Sequence, residues 1–482
     1  MFINFKLCFN AFILFALFLP TMALTDDRAD RKEMKKHQRL RDLKLKREVD
    51  EDEKFDPAFD AQLKLLSYAF TMSGIDHNKI EQFRQYTVGK NSYHINTANA
   101  PWAGYWWPLK KGGISLRWQQ KTPIYPEIKE PEVGKSGQND SPPDPRIFYP
   151  TLDQMIPTDQ MVAKLKEMEA SGDLRKLSPV EKFDIYVGDY HFNATKHSKD
   201  QRGPTTKEWD IFGSGWLGYC NGARAAGVLL PEPIAPLTVA NPDGINITFD
   251  IADLKALGAS AYYYVEKWAG LGGATRGSLY TFVVDGNQKP PNMGVFDIAL
   301  RAFMGDAGKL FFMDKAASYV VSNVTIVGFQ RKIKDVNSKL SSSDYKKYPG
   351  VSKRVTVETT LEYLGEIEKR NDTHQDFSDY LSIIKESNRP TKNDVAHGVY
   401  SHKKNVSYYL YIDTNNRIID GELKGRGPDM YWFAAGKGTD DIAFVKKIQA
   451  FPGNRDLKWD LVKSLFDQAS KQSSANSLVI IK

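Results

Sequence analysis

The hydrophobic pattern of this chain changes from helix-type to strand-type spacing near Ser278, and this change restricts the fold most. Upstream, apolar residues between Phe59 and Phe70 recur at the three- and four-residue spacing of a core-facing helix. Downstream, β-branched and aromatic runs predict strands at 279–284, 295–302, 310–313, 319–329, 354–364, 406–412 and 417–422. A helical pattern returns over 456–468. Helices and strands that are segregated along a chain are typical of α+β proteins, so we predict that class.

The chain is long enough for more than one hydrophobic core. Its 482 residues exceed what a single core usually covers, so we expect two or three packed units with tails. The 41% hydrophobic and 12% aromatic content excludes a mainly disordered chain. The formal net charge of +7 is spread thinly over this length, so we predict no nucleic-acid partner.

The first 23 residues have the three parts of an export signal. Met1–Lys6 carries one positive side chain, Leu7–Leu19 is apolar, and Pro20–Ala23 offers small residues for cleavage after Ala23. The alternative is a single membrane-anchoring helix, but the apolar stretch is short and Pro20 interrupts it. We therefore predict a secreted or periplasmic protein, without stable membrane insertion after signal cleavage.

Composition divides the rest of the chain into five parts. Residues 24–57 are a charged linker or a removable pro-segment, because they contain too few apolar side chains to form a core. Residues 58–176 form an N-terminal helical region with a proline-rich arm. We predict a folded core over 177–350, a β-rich block over 351–470 and a polar tail over 471–482.

An aromatic segment, Pro101–Leu109, places four aromatic side chains among turn-forming residues. Such a rigid group either packs against a neighbouring unit or lines a groove that holds a substrate. In the second case the groove also includes Trp216 and Asn221, which lie close to Cys220 in the sequence. The predicted set is Trp102, Trp106, Trp107, Trp216 and Asn221.

Cys220 is the one cysteine that remains once the signal segment, which contains Cys8, is removed. An intramolecular disulfide is then impossible, and the thiol is either a buried bystander or a reactive group. A glycine-rich loop over 213–218 leads to it, and small helix-compatible residues follow as far as Pro231. We therefore expect Cys220 at a helix N-terminus, where backbone amides and the helix dipole favour a thiolate.

Five groups of motifs occur in the same order over most of the mature chain. They are PWxGYWWPL…GGI from Pro101, SPxEKxDxYVGDY from Ser178, GYCNG…AAG…PEP with NPDGI…F…DLKAL, NxGxFxxAL…FxxD from Asn292, and YxLxID…RIIDGE near the C-terminus. Together they resemble the transglutaminase elicitor family, cysteine acyltransferases of plant-pathogenic oomycetes and of bacteria. The resemblance implies a papain-like transglutaminase core, with the nucleophile on a helix and its partners on adjacent strands.

The reaction centre departs from the pattern of that family. Where the family has Cys-His-Gly-Trp, this chain has Cys220-Asn221-Gly222-Ala223. The nucleophile is kept, and the histidine and the tryptophan are replaced. By resemblance the catalytic histidine corresponds to Asp297, and the acidic partner is retained as Asp314. The family sequence Val-Trp-Asn-Gln-Pro reads Val321-Ser322-Asn323-Val324-Thr325, without a tryptophan. The predicted catalytic residues are therefore Cys220, Asp314 and Asp297.

Thiol acyl transfer requires a base that takes the thiol proton and later gives it to the leaving amine. Imidazole suits this task, whereas an ionised carboxylate beside the thiol opposes formation of the thiolate by charge repulsion. A replacement base has to come from a histidine elsewhere in the chain. Nothing in the spacing of the available histidines points toward Cys220. These candidates are His191, His197, His397 and His402.

Both aspartates also have structural alternatives. On a strand over 295–302, Asp297 and Arg301 would point to the wetter face and lie too far apart to pair. Asp314 could similarly be a turn residue.

Two functions stay open. In the first, Cys220 attacks a glutamine side-chain amide, and a lysine or water accepts the acyl group, so the partner is a protein with accessible Gln and Lys. In the second, the protein is a catalytically inactive homologue that uses the aromatic groove as a binding surface, for example in host contact. A cysteine peptidase or amidase needs the same missing base.

The sequence predicts no cofactor and no metal site, and calcium enters through the family resemblance alone. Asp413–Asn416 begins like a calcium loop, but it lacks the glycine and the terminal glutamate, so we predict a hairpin turn. Five tripeptides match the N-glycosylation pattern, which has meaning in a eukaryotic secretory pathway. They begin at Asn193, Asn246, Asn323, Asn371 and Asn405.

Overall fold

A computed structural model describes a large part of the chain: residues 59–107, 112–119, 149–202, 218–269, 278–280, 283–284, 287–288, 291–314, 323–365, 391–399, 401–425, 427–428, 430–433, 454 and 456–472. Several predictions fall outside the described residues. These are the signal peptide, the charged segment 24–57, the proline-rich arm over 120–148, Trp216, Asn371 and most of the polar tail.

The described helices lie mainly in the N-terminal half and at the C-terminal end. They are α1 (Phe59–Met72), α2 (Lys79–Phe83), α3 (Thr158–Ser171), α4 (Pro179–Tyr186), α5 (Asn193–Arg202), α6 (Cys220–Leu229), α7 (Ile251–Ala269), α8 (Met293–Ile298), α9 (Ser342–Lys347), α10 (Lys392–Ala396) and α11 (Trp459–Ala469). A π-helix, Ala299–Asp306, continues α8, and short 3-10 turns occur at Gly113–Ser115, Leu152–Gln154 and Asp173–Lys176. None of the helices in this part of the chain is both long and apolar enough to cross a membrane.

The described strands form one large antiparallel sheet and two short hairpins. They are β1 (Ser92–His94), β2 (Leu237–Ala240), β3 (Asn246–Phe249), β4 (Ser278–Tyr280), β5 (Val283–Val284), β6 (Asn287–Gln288), β7 (Phe311–Asp314), β8 (Asn323–Ser338), β9 (Val351–Leu364), β10 (Ser401–Asp413), β11 (Ile418–Leu423) and β12 (Met430–Trp432). The sheet has the order β11-β10-β9-β8-β7-β12-β4, and β1 pairs with β8 beyond the end of β7. Helices combined with an antiparallel sheet confirm the α+β class.

Strand β7 has one face on each of two hydrophobic cores. Phe312 belongs to the first core, which also contains the apolar faces of α3, α4, α6, α7 and α11. Phe311 and Met313 belong to the second core, with α1, α8 and most of the sheet. Successive side chains of a strand point to opposite faces, so β7 separates the two cores.

The local signals at element ends explain why several predictions are confirmed. Ser178 accepts a hydrogen bond from the backbone N–H of Glu181, and the Glu181 carboxylate accepts one from the Ser178 N–H, so a capping box starts α4. Asp413 accepts bonds from the N–H groups of Asn415 and Arg417, and this closes the predicted hairpin between β10 and β11. The strands predicted near 310–313, 354–364, 406–412 and 417–422 are β7, β9, β10 and β11.

The strand predicted over 295–302 is wrong, because these residues belong to α8 and the π-helix that follows it. The Asn292 side chain accepts bonds from the N–H groups of Gly294 and Val295 and caps the helix. All residues from 293 to 305 are buried, so polar and apolar positions do not alternate in a way that identifies the element. A short apolar run does not distinguish a strand from a buried helix.

Candidate active site

Cys220 is the first residue of α6, so its predicted position at a helix N-terminus is confirmed. The preceding residue, Tyr219, donates its backbone N–H to the carbonyl oxygen of Trp106 at 2.7 Å. Gly218 lies against the same tryptophan, and a Cβ at this position would be 2.5 Å from Trp106 Cε3. The aromatic segment therefore holds the chain where it enters the helix, and it leaves Cys220 half-buried.

Gly222 allows α6 to lie directly on α7. A Cβ at this position would overlap the carbonyl oxygen of Ala259, and it would be 2.5 Å from the backbone nitrogen of Tyr263. The backbones of α6 and α7 are therefore in contact at Gly222, two residues after Cys220. Since α7 is anchored in the first core, this contact fixes the position of the thiol.

The sulfur of Cys220 contacts a buried polar residue of β8, which pairs with a buried carboxylate of β7. Asn323 Nδ2 donates to Cys220 Sγ at 3.4 Å. Asn323 is directly opposite Asp314 in the pairing of β7 and β8, so both side chains lie on the same face of the sheet, with Cβ atoms about 5 Å apart. Asp314 is 1% exposed and Asn323 is 3% exposed. The register therefore places the predicted acidic partner opposite the residue that contacts the predicted nucleophile.

This arrangement favours a thiolate but differs from an acid–base pair. An N–H donor at the sulfur and the N-terminal end of a helix both stabilise negative charge on the sulfur. The amide nitrogen of Asn323 donates hydrogen bonds and does not accept a proton, so it cannot act as the general base of the reaction. Asp314, opposite Asn323, is the carboxylate that the register brings to this face.

Asp297 does not belong to this site, which corrects its prediction as a catalytic residue. Its Oδ1 accepts from Arg331 Nε at 2.6 Å and from the Tyr408 hydroxyl at 2.7 Å, and its Oδ2 accepts from Arg301 Nε at 2.8 Å. Arg301 is four residues along the helix and pairs with Asp297, as residues on one helical face do. Burial alone would raise the pKa of Asp297, but the charges of Arg331 and Arg301 outweigh it and hold the pKa below its usual value.

The sheet itself separates Asp297 from Cys220. Helix α8 packs in the second core with Phe311 and Met313, whereas Asp314 has the orientation of Phe312, toward the first core and α6. The two arginines around Asp297 instead hold the segment from Phe83 to Asn91. They donate to the carbonyl oxygens of Phe83, Gln85, Tyr86 and Val88, and to Asn91 Oδ1. Asp297 is therefore the centre of a buried structural ion cluster.

The tryptophans predicted for the groove differ in their surroundings. Trp102 is 1% exposed, stacks on Phe466 with ring centroids 5.8 Å apart, and donates its Nε1–H to the Leu230 carbonyl oxygen at 3.1 Å. Trp107 is also 1% exposed. These two tryptophans therefore pack in the interior. Trp106 is half-buried beside the start of α6, and Asn221 is buried within the helix.

Two buried cations that the sequence reasoning missed hold the aromatic segment. Lys255 Nζ donates to the Ala103 carbonyl oxygen at 2.6 Å, and Arg224 donates to the carbonyl oxygens of Gly104, at 3.4 Å, and Gly365, at 3.0 Å. Burial lowers the pKa of Lys255 to about 7. The spacing of Arg224, one helical turn after Cys220, is the signal that could have placed it near the site.

The histidines considered as replacement bases have other partners. His402 stacks on Tyr363 with ring centroids 5.5 Å apart, and His397 Nδ1 lies 2.8 Å from the carbonyl oxygen of Asn393. His197 Nδ1 is 3.8 Å from Asp456, and His191 is exposed on the loop before α5. None of these contacts involves Cys220.

The described residues offer no set of ligands for a metal. Among them, no three His, Cys, Asp or Glu side chains are grouped so that they could hold an ion. Calcium, which the family resemblance introduced, therefore has no fitting carboxylate set within these parts of the chain. Asn323 also begins one of the glycosylation tripeptides, but its burial against Cys220 leaves no space for a glycan.

The chain is similar in fold to a solved structure. No family model and no curated protein matches the chain. Among solved structures, the crystal structure of the GP42 transglutaminase from Phytophthora sojae matches with a TM-score of 0.47 and 16% sequence identity. The match covers 84% of this chain and 98% of that chain. A likeness at this level does not establish membership, so membership of the transglutaminase elicitor family stays a prediction.

Proposed function

We propose that this chain is an exported thiol acyl-transfer protein of the transglutaminase type, with Cys220 as its nucleophile. The observation that supports the proposal is the meeting of three groups from three separate elements. These are the thiol at the start of α6, the Asn323 amide of β8 that donates to it, and the Asp314 carboxylate opposite that amide on β7. A thiol that only filled space in a core would not need two buried polar side chains beside it.

The reaction has two steps. Cys220 Sγ bonds to the carbon of a glutamine side-chain amide, the C–N bond breaks, and ammonia leaves with the proton of the thiol. A lysine amine or water then attacks the thioester, the C–S bond breaks, and a proton returns to the sulfur. Asp314 passes the thiol proton to the leaving ammonia and later passes the proton of the attacking amine or water to the sulfur, and the Asn323 amide donates to the charged sulfur.

Turnover is slow in this arrangement. A general base works best when its pKa lies near the working pH. The ordinary pKa of a carboxyl group lies well below neutral pH. The substrate is a protein with accessible Gln and Lys side chains, and Trp106, whose ring lies against Gly218 two residues before Cys220, is the aromatic side chain assigned to contact it.

The second candidate is a catalytically inactive homologue that binds a glutamine-bearing segment without turnover. The observation that favours it is the identity of the group at the sulfur. The Asn323 amide stands where thiol acyl transfer needs a proton acceptor, while the buried Asp314 is kept opposite it in the strand pairing.

One assay separates the two candidates. The chain without residues 1–23 is incubated with a dansylated primary amine and a glutamine-rich acceptor protein, in parallel with the Cys220→Ala variant. We expect slow amine incorporation that the substitution abolishes. Equal background incorporation by both proteins refutes acyl transfer and supports the second candidate, provided that both bind a fluorescent glutamine-containing peptide.

A further inference from the structure

The imidazole of His94 has a hydrogen-bond acceptor at each of its two nitrogens. Its Nδ1 lies 3.0 Å from Glu362 Oε2, and its Nε2 lies 2.9 Å from the carbonyl oxygen of Ala396. A neutral imidazole carries one N–H and can donate to one acceptor, whereas the imidazolium carries two. Both contacts can therefore be hydrogen bonds at the same time only when His94 is protonated.

The surroundings keep the carboxylate in this position. Gly328 lies opposite His94 in the pairing of β1 and β8, and a Cβ there would be 3.1 Å from Glu362 Oε2. The absence of a side chain at this position leaves the space through which the histidine reaches β9. Glu362 Oε1 accepts from the Ser401 hydroxyl at 2.6 Å, so its second oxygen is held as well.

The contact to Ala396 ties a separate segment, residues 391–399, to the sheet. Val395 of this segment is buried in the second core, and the Lys392 N–H donates to Glu232 Oε2 at 3.1 Å. Glu232 follows the end of α6 by three residues. The segment therefore connects the sheet edge at His94 with the end of the helix that begins at Cys220.

We propose that His94 is a proton-dependent latch for segment 391–399. The latch is closed while each of the two ring nitrogens carries a proton, and it opens when one of these protons is lost at higher pH. The other ionisable groups of the segment are Lys392, Asp394 and His397, and β10 contributes Lys403, opposite Glu362, and His402 next to it. Asp394 is bonded to Thr391, and His397 to Asn393, so each already has a partner inside the segment.

Hydrogen exchange of the full chain tests the latch. Protection factors of the amides in segment 391–399 are measured at about pH 5 and about pH 8.5 and corrected for intrinsic exchange. We expect protection to fall about tenfold at the higher pH, as one lost hydrogen bond to a charged group predicts. His94→Gln should show low protection at both pH values. His402→Gln, an exposed histidine on the neighbouring strand β10, should behave like the wild type.

A second variant tests the proton requirement without removing the histidine. In Glu362→Gln, the amide can donate to Nδ1 of a neutral imidazole while Nε2–H still donates to Ala396. We expect this variant to stay protected at the higher pH. The proposal is overturned if wild-type protection is the same at both pH values, if the fall persists in His94→Gln, or if Glu362→Gln keeps the wild-type fall.

Discussion

Replacement of Asn323 by histidine tests whether the described site is an acyl-transfer site that lacks an imidazole base. The amide and the imidazole both branch at Cγ, so one ring nitrogen can take the place of Nδ2, which is 3.4 Å from Cys220 Sγ. Asp314, opposite on β7, would then lie behind the ring. The variant would place a thiol, an imidazole and a carboxylate in the order that thiol acyl transfer uses.

The expected gain follows from the contribution of a positioned base. General acid–base catalysis typically adds about 10²- to 10⁴-fold to a rate. Asn323 is 3% exposed, so the larger ring must displace neighbouring atoms at a cost of about 1 to 3 kcal/mol in stability. We therefore expect the low end of the range, a gain of about 100-fold in amine incorporation.

The assay is dansylated amine incorporation, measured as a function of pH. Incorporation by Asn323→His should rise over about pH 6 to 7, where imidazole loses its proton. Asn323→Gln is the matched control, since it enlarges the side chain without adding a base, and Cys220→Ala combined with Asn323→His should show background signal. If Asn323→His is folded and no faster than Asn323→Gln, the inferred relation between Cys220, residue 323 and Asp314 is refuted.

The other expectations concern buried groups. Asp297→Asn should lower the free energy of unfolding in urea by about 3 to 5 kcal/mol, since two buried arginines lose their counter-charge, and a loss under 1 kcal/mol would contradict the ion cluster. Asp297→His should give no gain in amine incorporation over the wild type, because the sheet lies between this position and Cys220. Gly222→Ala should force α6 away from α7 and slow alkylation of the thiol; unchanged stability and alkylation would contradict the close contact. Burial lowers the pKa of Lys255 to about 7, so the free energy of unfolding of the wild type should rise with pH from about 7 to 10.5. Lys255→Met should flatten that rise. An identical slope in both proteins would argue against a buried, easily deprotonated lysine.

The sequence predicted those elements whose ends carry local signals. The capping box at Ser178, the turn at Asp413 and the glycine-rich approach to Cys220 each act over a few residues, and the structure has an element boundary at each. The sequence over 295–302 does not distinguish a helical period from a strand period, because every residue of this run is buried. Its helical form also explains the error about Asp297 and Arg301, which pair at a spacing that a strand does not allow.

The site could be predicted in part, for a similar reason. Cys220 and Asp314 followed from motif resemblance, and their meeting was implied by that resemblance alone. Asn323 was seen as part of an altered motif, but its role depends on the register between β7 and β8, which is a long-range property. The arginine partners of Asp297 and the contacts of Lys255 also join residues far apart in the chain, so no local pattern indicates them.

The double-sided packing of β7 has a consequence for how the chain acquires reactivity. Helix α6, which carries the thiol, packs in the first core, whereas β7 and β8, which face it, pack largely in the second core. Neither unit alone would present the sulfur to its polar neighbours. Alkylation of Cys220 during refolding should therefore report when the two halves dock, later than the formation of either half.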